Sequence, residues 1–503
     1  MMMPSILLQI IFIPALAALI IFLFRYQLDK KAGWVAVLGL AYTTGLLLVA
    51  LAHVYQGNAI EVDYQIVVNP DIRFAFLADG LSIAVALICN ILCLALSIYS
   101  LKYVDHRIEL IYEGISHKEE VSYYACFYYL FLFFPLGFMG VTFAADLILL
   151  YFFMEVLTII LYFLMAYFGY YERVRVATMC LIWGIFSAVL FLAGVLIIYS
   201  QVGTFQISEI HQMAGNPLAF WAIAIVLIGM FAKLAIVPLQ VWMPWVHAEH
   251  PTCIAGLLAV YANIAAYIVV RTLVLPLYED FQWFGPPIMI LAVLTMIYGS
   301  LLTLAQTDMK RIPACSTISQ SAYSMLGIGA LTAAGIEGGL FFFLSHIMGK
   351  TVFFSTCGIV VYMTHIRDST KLSGLGYKMP LTAILFASGG MMLAGIPPFS
   401  SLPAEVIMFT GVFERADAVG ITVGILGLMA ILLTVGYAFY FTMKIFFGQL
   451  PDNLKDDDHI KDPPWSLSLP LIGVVLIGVF LGLYPSFIMD LFHPVITQAL
   501  ENM

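Results

Sequence analysis

Five ionisable side chains stand in stretches otherwise built from hydrocarbon-compatible residues, and the chemistry they share is proton transfer. Lys233 lies in AIAIVLIGMFAKLAIVPLQVWMPWVHAEHP (residues 222–251), Glu155 in LYFFMEVLTIIL, and His346 and Lys350 in LFFFLSHIMGKTVFF. Glu405 follows the breaks in LAGIPPFSSLPAEVIMF. An ionisable group at mid-bilayer costs about 2.5–3.5 kcal/mol on insertion scales, so it persists where a partner, water or a transport task offsets it. A carboxylate in such a place must be paired, hydrated or protonated. Lys233 is the natural partner of Glu155, and the distance between them would decide whether the lysine holds or releases a proton. His346 and Lys350 are four residues apart and share one helix face. The structural alternative is a static ion pair that fixes helix packing, with His346 as a hydrogen-bonded core residue.

The elements that must carry these residues are membrane helices. Hydrophobic residues make up 63% of the 503, charged residues 10%, and the mean hydropathy is +1.01. Soluble proteins sit near 45–50% and ~25%. Fourteen apolar segments fall at 4–24, 33–55, 79–101, 122–142, 146–168, 176–200, 219–241, 253–275, 286–305, 313–333, 337–362, 380–413, 420–447 and 467–490. None alternates as a barrel strand would. The run 4–24 lacks a leading positive charge and a small-residue cleavage site, and reads as a retained first span. The seven cysteines, Cys89, Cys93, Cys126, Cys180, Cys253, Cys315 and Cys357, form no CxxC pair, so no iron–sulfur, zinc or disulfide framework is expected. The net charge of −9 says little about partners in such a chain.

Of the 21 lysines and arginines, all but five fall in alternate loops; Arg73, Arg271 and Arg415 lie on the other side, and Lys233 and Lys350 lie within spans. That bias places both termini on the non-cytoplasmic side. The fourth to eighth and the ninth to thirteenth spans form two runs of five with opposite starting sides, and in each run the fourth helix is interrupted: at Pro238 in the first, and at Pro397, Pro398 and Pro403 in the second. Paired proline breaks in inverted halves point to a transport site, because broken backbone at membrane depth survives only where it lines a cavity or is buried in protein. The expected fold is an all-α integral membrane protein of about fourteen transmembrane helices. Its single polytopic domain would comprise three N-terminal spans (1–121), a first five-helix repeat (122–275), a second, inverted repeat (286–448) and a last span (467–490). The acidic, proline-flanked loop 451–464 reads as a solvated connector.

Thr307–Gly327, TDMKRIPACSTISQSAYSMLG, closely resembles the segment between the ninth and tenth spans of antiporter-like subunits in respiratory complex I, Mrp cation antiporters and membrane-bound hydrogenases. The resemblance extends over roughly residues 75 to 450 and includes ADLILLYFFMEV with Asp146 and Glu155, KLAIVPLQVWMPWVHAEHPT with Lys233, SHIMGKTVFF with His346 and Lys350, and GIPPFSSLPAE with Glu405. It implies that Glu155 pairs with Lys233 and that a polar chain continues through the eighth, eleventh and twelfth spans to His346, Lys350 and Glu405. It also implies an accessory role for Asp146. Where the family usually has a lysine in the eighth span this chain has Asn263, and a frequent histidine four residues earlier is Ala259. Asparagine can hold a water but carries no proton as a charge, so the middle of the path would rely on water, on Tyr261, or on His247 and His250. The chain ends after the fourteenth segment without the long lateral helix of the largest members.

The functional expectation is an ion-translocating, proton-conducting subunit of a redox-driven membrane complex such as a membrane-bound hydrogenase or a complex I-like oxidoreductase. The chain has no Gly-rich dinucleotide loop, no cysteine cluster and no soluble domain, so it is expected to hold no cofactor and to leave redox chemistry to partners. Those partners would be further antiporter-like subunits and an arm bearing iron–sulfur clusters, assembled in the cell membrane; the translocated ion would be H⁺ or Na⁺, and nucleic acid is not expected. The alternatives are a subunit of an Mrp-type Na⁺/H⁺ antiporter and a structural subunit that does not itself conduct.

Overall fold

The computed structural model of the chain describes residues 2–68, 70–455 and 457–501. Hydrocarbon offers no partners for backbone N–H and C=O groups, so apolar runs satisfy them internally as helices. In chain order these are α1 (Met2–Leu28), α2 (Ala32–Val54), α3 (Gly80–Ile111), α4 (His117–Phe131), α5 (Phe133–Phe143), α6 (Leu147–Phe168), α7 (Arg173–Val202), α8 (Pro217–Leu234), α9 (Met243–Glu249) and α10 (Thr252–Val269). They continue as α11 (Tyr278–Phe281), α12 (Gly285–Leu304), α13 (Arg311–Ala330), α14 (Ala333–Thr364), α15 (Pro380–Leu393), α16 (Ser401–Glu414), α17 (Ala418–Phe446), α18 (Asp452–Lys455), α19 (Trp465–Leu483) and α20 (Ser486–Glu501). One antiparallel hairpin, β1 (Ile60–Val67) with β2 (Ile72–Ala78), separates α2 from α3, with Ile60 opposite Ala78. Among the described residues, eleven helical stretches are long and apolar enough to cross a membrane, the first of which, Ser5–Val54, contains both α1 and α2.

By its internal contacts the chain forms two units: Met1–Lys233 with Ile264–Phe284 and Ile488–Met503, and Leu234–Asn263 with Gly285–Phe487. In the first, the hairpin and the helix starts are tied together by carboxylates. Asp146 caps α6, accepting from the N–H groups of Ile148 (2.8 Å) and Leu149 (3.1 Å), and it also accepts from the Arg73 N–H of β2 at 3.2 Å. Asp79 caps α3 through a reciprocal bond with Ser82 and pairs with Arg271 at 2.5 Å. The Tyr267 hydroxyl donates to the Thr142 carbonyl at 2.6 Å.

In the second unit the polar helices are innermost. Every residue of α13 from Ile312 to Ala330 is buried, although its sequence carries Ser316, Thr317, Ser319, Gln320, Ser321 and Ser324. α14 is buried over almost its whole length. Outer helices show the reverse character: Ile425, Leu428 and Leu432 of α17 and Leu476 and Leu483 of α19 are exposed apolar side chains, as a lipid-facing surface requires. α13 therefore tolerates a polarity that excludes it from the eleven apolar spans, because protein rather than lipid surrounds it.

Two segments are interrupted at the expected prolines, and two others differ from their expected form. The stretch 219–241 is helical only to Leu234: Ala235 takes a left-handed φ of 58°, and Pro238 supplies no N–H, so the helix resumes at Met243. The stretch 380–413 is two half-helices, α15 and α16, separated by Gly395 at φ 63° and by Pro397 and Pro398. In both breaks a left-handed residue precedes the second proline position by three, so the two interruptions match in backbone as well as in composition. The stretch 122–142 bends at Leu132, where α4 gives way to α5. The last segment, 467–490, stops at Leu483 because Pro485 ends the run, and a further amphipathic helix, α20, buries Ile488, Leu491, Phe492 and Ile496.

The breaks generate a test. In a chain lacking its seven native cysteines, cysteines at Val237 and Ile396 should react with a small membrane-impermeant thiol reagent, whereas one at Ile182, exposed on the unbroken α7, should stay unlabelled in lipid. Mass-spectrometric labelling in vesicles reads the outcome, and equal protection at all three positions would mean that both breaks are dry.

Candidate functional site

In the first unit, α6 and α8 position the leading pair. Lys233 occupies the last turn of α8 and is 3% exposed, and Glu155 is half-buried on α6. The two charges act on one another, and Cys180 of α7 lies within reach of the same ammonium. Asp146 starts the helix that carries Glu155, but nine residues of rise, about 13 Å, separate them along the axis. Its oxygens are committed to backbone N–H groups, so in this structure Asp146 is a helix cap that anchors the hairpin.

In the second unit, α9, α13 and α14 bring His247, His250, His346 and Lys350 into one buried cluster, all of them at most 1% exposed. The His247 ring stacks on Phe354 with centroids 5.0 Å apart, and His250, Lys350, His346 and Lys310 are its titratable neighbours. Lys310, buried at the start of α13, donates its ammonium to the His250 carbonyl. Next to it, Arg367 joins Asp308 (2.9 Å) to Glu249 (3.5 Å), closing this end of the cluster with a charged network. The ring nitrogens of His247, His250 and His346 meet no hydrogen-bond partner among the described residues. A buried polar atom left so costs about 1–3 kcal/mol, which makes each ring a place where water serves.

Lys350 has a different environment from an ordinary buried cation. Its ammonium donates to the Pro313 carbonyl at 3.0 Å and to the Ser316 hydroxyl, both neutral oxygens. From Ser316 the polar side chains continue along one face of α13 and across to α17. The Tyr437 hydroxyl lies beside Ser316 and accepts from the Gln320 amide at 3.2 Å; that amide also reaches Thr434 Oγ1 at 3.4 Å, and the Thr434 hydroxyl bonds to Tyr323 at 3.0 Å. Glu405, 6% exposed on α16, acts electrostatically on both tyrosines. One carboxylate oxygen, Oε1, has no partner among the described residues, and the side chain lines a cleft of about 530 Å³ with Gly395, Ile396 and Val435. A Cβ at Gly395 would collide with this carboxylate, so the left-handed φ and the absence of a side chain there are both required by the close approach of Glu405.

The sequence-derived residues thus fall into distinct settings. Glu155 and Lys233 are electrostatic neighbours; His247, His250, His346 and Lys350 are together; Glu405 is buried on α16 beside the second break; and Asn263 and Tyr261 are buried on α10. Asn263 donates to the Ala259 carbonyl of its own helix at 2.8 Å and leaves Oδ1 without a partner among the described residues. Sequence reasoning missed Ser316, Gln320, Tyr323, Thr434, Tyr437 and Lys310. The available signal was the spacing of 316, 320 and 323, an i, i+4, i+7 polar stripe inside a segment that must lie within the membrane.

Proline-broken membrane helices and a buried polar chain on the helices between them define the class of antiporter-like membrane subunits. The family described as NADH:quinone oxidoreductase/Mrp antiporter, TM, matches residues 144–434, and the chain belongs to it. It is 26% identical to NADH-quinone oxidoreductase subunit M of Rickettsia felis over 96% of both chains, and 27% identical to the putative antiporter subunit mnhD2 of Staphylococcus aureus over 95% of this chain and 93% of that one. Its fold is that of a chain in the structure of the Mrp complex from a Dietzia species, with a TM-score of 0.85, 19% identity and coverage of 100% of this chain and 98% of that chain. The protein is a multi-pass membrane subunit of the antiporter-like kind.

Asn263 yields a prediction at this site. Replacing the amide by leucine removes the partner that its Oδ1 offers to water, so Asn263→Leu should lose most ion transport in reconstituted vesicles while leaving the helix buried as before. Asn263→Lys should retain part of the activity, with a shifted pH optimum. Normal transport by the leucine variant would show that the route bypasses this helix.

Proposed function

We propose that this chain is a proton-translocating antiporter-like subunit of a multi-subunit, redox-driven membrane complex of the complex I or membrane-bound hydrogenase kind. Glu155, Lys233, His346, Lys350 and Glu405 are its proton-transfer residues, and His247, His250, Tyr261 and Asn263 line the accessory path. The observation that carries this reading is the setting of Lys350: a fully buried amine held by a backbone carbonyl and a serine hydroxyl, at the head of a hydrogen-bonded chain of side chains. An amine with neutral acceptors can stand with or without its proton in the same cavity, which is what a relay site requires. The redox cofactors are assigned to partner subunits, including an arm with iron–sulfur clusters, and the chain is placed in the cell membrane with its termini on the non-cytoplasmic side. The Rickettsia felis relative, named as a quinone oxidoreductase subunit, supports the redox-driven assembly. The near-equal likeness to the Staphylococcus aureus antiporter subunit supports a second reading, a subunit of an Mrp-type cation antiporter. Co-purifying iron–sulfur subunits would decide for the first.

Lys233→Ala tests the translocation reading itself. Its loss leaves Glu155 half-buried without its cation, a carboxylate that can protonate in place, so assembly should survive where transport does not. The expected result is an assembled complex on native gels with no proton uptake into inverted vesicles. Uptake at the wild-type rate would overturn an ion path through this lysine.

A further inference from the structure

The cleft beside the second break has the make-up of a ligand site. Its volume of about 530 Å³ lies within the ~300–1,000 Å³ usual for small-molecule pockets. It opens between α16 and α17, where Val406 and Phe413 of the first and Leu428 of the second are exposed apolar side chains on the lipid-facing surface. Among the described residues that line it, Thr410 and Glu405 have polar side chains. The Thr410 hydroxyl is committed to the Val406 carbonyl of its own helix at 2.8 Å. Glu405 is buried, and its Oε1 has no partner among the described residues. The carboxyl packs directly on Gly395, where a Cβ would collide with it, so the glycine leaves the acid its place in the wall of the cleft.

The ligand chemistry follows by elimination. A buried water needs about 2–4 polar partners, and the side chains here supply one. A divalent cation needs several oxygen ligands, and no three His, Cys, Asp or Glu side chains converge on a metal among the described residues. An anion would be repelled by the carboxylate, and a guanidinium would bring about five N–H donors to a single acceptor group. A primary ammonium on a compact apolar body matches both halves of the site: its charge and N–H groups meet the carboxylate, and its body fills the apolar volume.

We propose that this cleft is a binding site for lipophilic primary amines, entered from the hydrocarbon between α16 and α17, with Glu405 as the residue that holds the ammonium. An amine that crosses hydrocarbon as the free base takes the proton of the Glu405 acid and is retained as an ammonium–carboxylate pair, so the proton stays within the complex of the two. The site does not require that a proton cross the chain. One consequence rests on the translocation reading above: a bound amine and a translocated proton would compete for the same carboxyl.

The probes are tritiated adamantylamine and, as a neutral counterpart of the same shape, adamantanol; the sample is the purified, assembled complex in phosphatidylcholine nanodiscs. Adamantylamine should bind saturably, and adamantanol about tenfold more weakly or worse, the difference expected when a charged partner is lost. Glu405→Gln, which keeps the size of the side chain, should weaken amine binding by about tenfold or more and leave adamantanol binding unchanged. Val435→Phe, which fills the cleft from α17 and keeps the carboxyl, should weaken the binding of both probes. Equal affinity for the two probes in the unaltered complex overturns the proposal without recourse to any variant, and so does amine binding that survives Glu405→Gln. Absence of saturable binding to the assembled complex overturns it as well, the outcome expected if a lipid chain or a cation of a neighbouring subunit fills the cleft. These are binding measurements, so wild-type uptake in Lys233→Ala, which would remove the translocation reading, leaves the amine site standing.

Discussion

Hydrocarbon supplies no hydrogen-bond partner, and every interrupted helix and buried charge in this chain is arranged around that constraint. The chain answers it by placing polar sequence inside and apolar sequence outside. α13, with its serines, threonine and glutamine, is buried from Ile312 to Ala330, whereas α17 turns leucine and isoleucine outwards and keeps Thr434 and Tyr437 on its inner face with Val423, Ala430 and Phe441. The breaks after Leu234 and Leu393 obey the same rule. Each frees backbone groups that helix geometry would have satisfied, and each is lined by protein: the Val237 N–H donates to Thr295 Oγ1 at 3.1 Å, and the Ser400 N–H donates to the Gly478 carbonyl at 3.0 Å. Polar side chains that would be penalised in lipid are thereby kept inside protein.

What could be read from the sequence follows from how many residues a feature needs. A lysine or glutamate in an apolar run is visible singly, because its burial cost is large whatever surrounds it, and so Glu155, Lys233, Lys350 and Glu405 were legible. Proline breaks were legible for the same reason, since one residue removes a donor and blocks a turn. Their exact ends were not: the left-handed turns at Ala235 and Gly395 depend on what packs against them, and at Gly395 that is the Glu405 carboxylate ten residues on. The hydroxyl chain escaped notice because each member is unremarkable by itself. Tyrosine, threonine and serine occur widely in membrane helices, and only the pairing of α13 with α17 brings Gln320 to Thr434 and Tyr437 across more than a hundred residues. Asp146 carries a second signal. A carboxylate just before an apolar run is an N-cap signal as well as a possible proton site, and in the structure its oxygens accept from three backbone N–H groups as a cap does.

The substitution at Asn263 gains meaning from its surroundings. A lysine there would bury a further ammonium on α10, in a unit that already buries Lys350 and Lys310, with Asp308 and Glu249 engaged by Arg367. The asparagine keeps a polar atom on α10 without adding charge, and its free Oδ1 is of the same kind as the ring nitrogens of His247, His250 and His346.

The buried cations of this chain are met by two kinds of partner. Arg271 is matched by a carboxylate, Asp79, at 2.5 Å, and Arg367 by two, Asp308 and Glu249. Guanidinium does not give up its proton, so these pairs are fixed whatever the state of the path, and breaking one strands an uncompensated charge at a cost of about 3–5 kcal/mol. Among the described residues Lys350 donates to neutral oxygens, a carbonyl and a hydroxyl, and Lys233 has the Glu155 carboxylate as an electrostatic neighbour. An amine in that position can be satisfied both as acid and as base without rebuilding its surroundings. Arginine with carboxylate and lysine with hydroxyl, carbonyl or carboxylate are therefore two solutions to the same burial problem, and they differ in whether the cation can release its proton.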